Sequence, residues 1–165
     1  MGLILKDRLT MLIKGYPTVS DKYNVSGAML AGSTPVKFGD LVKRSSTPGY
    51  FEAITDTVTL ADIAGFVLAT NVKLAENYPG TLVQVNPGEA FNLMINGFIA
   101  IELNEDAVAA DIIANAPVYV VLADGKLTTS TNASEGAIVA LPNCVFTGIY
   151  EEHADGALYA EIYVK

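Results

Sequence analysis

The chain has 165 residues, 51% of them hydrophobic and 17% charged, with a formal net charge of −8. That length suits one domain with a core of its own, and the composition excludes disorder throughout. A single cysteine, Cys144, excludes an intrachain disulfide framework and a multi-cysteine metal site, and the acidic excess argues against nucleic acid, whose phosphates would repel it.

Residues 1 to about 30 read as an arm. Leu5, Leu9, Leu12 and Ile13 share one face at helical spacing, with Lys6, Arg8 and Lys14 among them, before Gly15-Tyr16-Pro17 and a polar run from Thr18 to Ser26. So short an amphipathic helix is marginal alone in water, and it has too little apolar area or basic charge to hold a membrane. It is expected to order on docking against a partner. The opening residues break into charge too early for a signal-peptide core, and no later run reaches the roughly 18 apolar residues of a membrane span. Synthesis in the cytoplasm and no membrane partner are the expectations. Residues 1–50 hold seven Lys and Arg against three Asp, a net +4 that leaves −12 for the remainder. Such a leader either lies along an acidic neighbour, which includes another copy of the chain, or is a solvated tail.

From about Val36 onward, short β-like runs alternate with turn signals, as a barrel or sandwich requires. Val36 to Val42, the loop cluster Ser45 to Gly49, and Tyr50 to Ile54 read as a hairpin. Ile63–Thr70, Thr81–Val85 and Ala90–Leu103 follow, separated by Asn77-Tyr78-Pro79-Gly80 and Asn86-Pro87-Gly88-Glu89, where Pro and Gly set turn geometry. Asn96-Gly97 inside the third run marks a tight turn or a bulge. The alanine-rich stretch 104–116 fits either one short helix near residues 105–114 or a long connection. Pro117 to Leu122 leads to Asp124-Gly125, a two-residue hairpin signal, with Lys126 to Thr129 as the return. In the closing strand Leu158, Ala160, Ile162 and Val164 alternate with Tyr159, Glu161, Tyr163 and Lys165, so one face is core. Tyr159 and Tyr163 on the other face are either an interface or ordinary surface.

Chemistry is sparse. His153 is the only histidine, in the charged turn Glu151 to Gly156, and no nucleophile-elbow sequence accompanies it. The carboxylates Glu102, Glu105, Asp106 and Asp111 match neither an EF-hand nor another ligand spacing. No phosphate-cradling glycine loop occurs, and Cys144 reads as a small buried hydrophobe. No catalytic residue, metal site or cofactor is therefore expected, and an enzyme is the minority reading.

Order and spacing point further. Pro35-Val36-Lys37-Phe38-Gly39-Asp40-Leu41-Val42, Gly65-Phe66-Val67, Pro87 to Ile101, Ala116-Pro117-Val118-Tyr119-Val120, Asp124-Gly125-Lys126-Leu127-Thr128 and Ala157 to Ile162 together resemble the barrel of tailed-phage structural cement proteins, across most of residues 35–165. The resemblance implies an all-β protein: a compact β-barrel, β-tulip or sandwich over residues 31–165, preceded by an extended arm over 1–30. It implies a capsid decoration role on the outer surface of an expanded capsid, with the major capsid protein and copies of itself as partners, a trimer matching threefold positions. The arm residues Leu5, Lys6, Arg8, Leu9, Leu12, Ile13, Lys14 and Tyr16 would make the contacts. The competing expectation is a glycan- or ligand-binding β-domain whose loops gather Tyr78, Glu105, Asp106 and Tyr150; a small hydrolase comes third.

Overall fold

A computed structural model describes residues 12–18, 23–69, 84–130 and 137–165. Among them run eleven strands: β1 (Tyr23–Leu30), β2 (Val36–Lys37), β3 (Leu41–Arg44), β4 (Tyr50–Ala53), β5 (Ile63–Leu68), β6 (Gln84–Val85), β7 (Ala90–Glu102), β8 (Pro117–Val121), β9 (Leu127–Thr128), β10 (Ile138–Glu152) and β11 (Leu158–Val164). The all-β expectation holds, and its form is a barrel: β1, β4, β3, β5 and β7 pair in that order, and β1 pairs again with β7, closing a five-stranded ring.

β7 is longer than this ring needs. Its first half pairs with β1 and β5, and from Gly97 to Glu102 it pairs instead with β11. β11 continues to β10, β8 and β9, and a parallel bridge from Leu127 to Leu103 brings β9 back to the end of β7. The change of neighbours falls where Asn96-Gly97 signalled a bulge. The β1–β7 register slips between Asn24 and Val25, leaving Ile95 without an opposite residue, and Gly97 takes φ 130°.

Two cores follow. Ala28, Leu30, Val42, Val67, Phe91 and Leu93 fill the five-stranded ring, with Val36 and Val85 added from the β2–β6 ribbon. Ile99, Ile101, Val118, Val120, Phe146 and Ile162 belong to a larger core enclosed by the second set of strands. Leu41, Phe66 and Met94 join the larger core while their neighbours Val42, Val67 and Leu93 join the smaller. Thus β3, β5 and β7 form a wall buried on both faces, which is why β5 reads Ile-Ala-Gly-Phe-Val-Leu without a polar residue. Each large aliphatic or aromatic side chain so buried stabilises the fold by about 1.5–3 kcal/mol.

Two local expectations need correction, and of the two readings of 104–116 the structure shows the connection. The run Val36 to Val42 is not one strand: a turn at Phe38-Gly39-Asp40, with Asp40 Oδ2 accepting from Lys37 N–H at 2.9 Å and Gly39 at φ 83°, breaks it, so only β3 pairs with β4. Residues 105–114 hold a 3-10 turn at Ala109–Asp111 and otherwise connect strands. Alanine propensity is overruled there by tertiary bonds, Val108 N–H to Thr129 Oγ1 at 2.9 Å and Asn115 N–H to Phe146 O at 2.8 Å. The hairpin after β8 has a four-residue loop, 122–125, because Gly125 N–H bonds to Val121 O and Val121 N–H to Lys126 O.

Candidate functional site

Residues 12–18, the described part of the leading segment, are fixed along the edge of β7 opposite β11. Gly15 N–H donates to Ala100 O at 2.8 Å, Ala100 N–H to Tyr16 O at 3.0 Å and Thr18 N–H to Phe98 O at 3.1 Å, while Pro17 bridges Ile99. Gly15 O also accepts from Ala69 N–H just past β5. The sequence allows this approach because Gly15 has no side chain: a Cβ there would sit 2.4 Å from Phe38 Cβ, and φ is +79°. This strap is backbone-paired to the wall that both cores share.

Side chains lock it further. Lys14 Nζ lies 2.7 Å from Asp40 Oδ1 and 3.1 Å from Glu102 Oε2, joining the turn before β3 to the end of β7. Burial alone would lower the Lys14 pKa, but Asp40 and Glu102 together outweigh it and hold it above the ordinary lysine value. Leu12 is buried and its N–H donates to Glu151 Oε2 on β10 at 2.9 Å. Of the other expected contact residues, Ile13 is 44% exposed and Tyr16 is half-buried, its pKa raised by burial. Leu5, Lys6, Arg8 and Leu9 lie outside the described residues. Residues 23–30, counted with the arm from sequence, form β1, a stave of the five-stranded ring.

The tyrosine face of β11 is largely covered. Tyr163 stacks on Phe98 at 4.6 Å, Tyr159 stacks on His153 at 4.0 Å, and Glu161 between them is 1% exposed. Burial, and then Glu102, raises the Tyr159 pKa. His153 Nε2 is 3.9 Å from Glu151 Oε2, so that histidine belongs to a stacked turn. Of the residues that would gather for a glycan, Glu105 lines a cleft of about 400 Å³ beside Lys14 and Asp124, Tyr150 stands apart from that lining on β10 opposite Ala160, and Tyr78 is outside the described residues. Among the described residues no three His, Cys, Asp or Glu side chains gather as a metal site requires, and no helix is long and apolar enough to cross a membrane. Sequence reading missed the exposed apolar residues Val108, Ile113 and Ile149; Ile113, at 63%, lies in the connection between β7 and β8.

Comparison with known proteins bears on the role of this strapped double ring of strands. The profile of the structural cement protein family (E217 gp24/Pam3 gp6) matches residues 6–165. The chain belongs to this family. Its role is therefore structural, in association with a phage capsid, and its place is the virion. Among solved structures, a chain of "The capsid of Myoviridae Phage XM1" superposes with a TM-score of 0.68 at 18% identity, over 96% of this chain and 92% of that one. At that identity the likeness speaks for the fold. No curated protein sequence matches the chain.

Proposed function

We propose that the chain binds the outer surface of the expanded capsid, contacts the major capsid protein there, and stabilises the junctions between capsomers, as trimers at local threefold positions. The observation that carries this reading is the family match, which runs through the leading segment and both rings. A protein that binds the assembled lattice and not its dissociated subunits stabilises the lattice by mass action, and many weak copies add through multivalency. The strap supports the same reading. Whatever residues 1–11 hold is tied through Gly15, Lys14 and Leu12 to the shared wall and to β10, so load on the arm passes into the body.

Cosedimentation with the cognate shells before and after expansion tests it. A truncation through residue 30 would remove β1 and open the ring, so the comparison is a chain beginning at Leu12. Saturable binding to expanded shells that weakens on truncation supports the reading; equal failure on both shells overturns it. The sedimentation coefficient of the free chain measures the oligomer.

A further inference from the structure

The five-stranded ring leaves one strand edge open. β1 touches β4 only through Met29 and Leu30, so Asn24 to Gly27 have β7 on one side and no strand among the described residues on the other. All four residues are exposed. The phase of the ladder decides which backbone groups face outward. Leu30 bonds to β7 through Glu89 O, whereas Met29 N–H and Ala31 N–H turn to Gly49 O and Phe51 O. Counting back in twos, Ala28 and Ser26 bond to β7, while Val25 and Gly27 direct N–H and C=O to the open edge. Among the described residues, Ser26 Oγ, 3.5 Å from Gly27 O, approaches them.

Exposed edges are ordinarily guarded by charge, proline or cover, because they template pairing with another chain. Asn24-Val25-Ser26-Gly27 holds neither charge nor proline, and no strand among the described residues covers it. Gly27 has a backbone that any residue could adopt and nothing within 4 Å of a Cβ placed on it, so the monomer fold does not require glycine there. A strand glycine with no internal reason marks the close approach of another backbone. Val25 at 41% exposed and Ile95 at 48% exposed leave apolar surface beside the same edge.

We propose that this edge pairs antiparallel with the same edge of a second copy, about a twofold axis at Ser26. Val25 of each copy then lies opposite Gly27 of the other and exchanges two hydrogen bonds with it, four in all, and each valine covers the space its partner's glycine leaves. The self-complementary placing of Val25 and Gly27 about Ser26 selects this occupant, and charge permits it. Copies of net charge −8 repel, and an uncharged edge lets two of them meet without setting carboxylates face to face. Four hydrogen bonds fall short of the entropic cost of bringing free molecules together, so the pairing is weak in solution and forms where copies are already held close. On a lattice with threefold positions, a twofold contact joins neighbouring positions.

Ser26→Cys tests this directly. Its Cα would be about 4.5 Å from its symmetry mate in such a pair, within disulfide reach, whereas Asn24→Cys thiols would lie about 13 Å apart. Cys144, at 7% exposed, does not compete. Under mild oxidation, with the free chain at millimolar concentration and with the chain bound to capsids, Ser26→Cys is expected to give a species of twice the 17.4 kDa chain mass on a non-reducing denaturing gel. Asn24→Cys should give none, and adding Val25→Lys to Ser26→Cys should abolish it. Cross-linking of Ser26→Cys in neither setting, or equal cross-linking of both cysteine variants, overturns the pairing. The free-chain arm stands apart from capsid binding, so failure of the cement reading and failure of the edge are told apart.

Discussion

The two rings are closed by different means. In the five-stranded ring every stave is joined to the next by backbone bonds, and the core inside is small and built largely on Val, Ala and Leu with two phenylalanines. The second set of strands returns to β7 through a single described bridge, Leu127 to Leu103, yet encloses the larger core with Phe66, Phe146 and Met94. Hydrogen bonding closes the first, and burial carries more of the second. Because β3, β5 and β7 serve both, the difference need not make two independent folding units.

That claim breaks most readily at the wall. Phe66→Ala removes a side chain 1% exposed in the larger core, and a loss of about 3–5 kcal/mol is expected, with tyrosine fluorescence and circular dichroism falling together in urea. Separate transitions would show that the rings unfold apart. Cys144 supplies a probe of the second ring alone. Burial pushes its thiol up to about 12, so alkylation at pH 8 should be negligible until that core opens, and Phe66→Ala should speed it by about a hundredfold or more.

The strap comes next. Gly15→Ala places a Cβ against Phe38 in a left-handed backbone, and about 1–3 kcal/mol should be lost. Hydrogen exchange should quicken at Ala69 and Ala100, whose amides bond to the strap; unchanged exchange would mean that the strap adds nothing to the wall.

Lys14 gives the smallest effect and the clearest sign. Its folded pKa is raised, so its contribution is complete below 10.5 and is lost as pH climbs through the folded value. Lys14→Met should cost about 1 kcal/mol at neutral pH and should flatten the alkaline limb of the stability curve. A limb identical to that of the unaltered chain would place the alkaline transition on the tyrosines.

Much of the barrel was legible because period-two alternation and turn residues are local signals. The β11 core face, the β3–β4 loop and the bulge at Asn96-Gly97 all stand where those signals put them. What was not legible depends on partners distant in sequence. Leu12 and Ile13 close the run that reads as amphipathic, but the geometry of Gly15 and Tyr16 just after it is set by Ala100 and Phe38, which no window around them contains. Glu161 sits by alternation on an outer face and is buried all the same. It pairs with Ala100 on β7 and its carbonyl accepts from Thr147 Oγ1 on β10, while the flanking Tyr159 and Tyr163 are covered by His153 and Phe98.

β7 lies in the middle of the sequence, and this governs the order of events during synthesis. When β1 to β6 have left the ribosome, the ring of β1, β4, β3 and β5 still lacks the strand that joins β1 to β5. Even with β7 delivered, the second core waits for β11, which follows β7 by more than fifty residues. Ile63–Leu68, apolar on both faces, thus waits for β7 before its smaller core can close and for β11 before its larger core can.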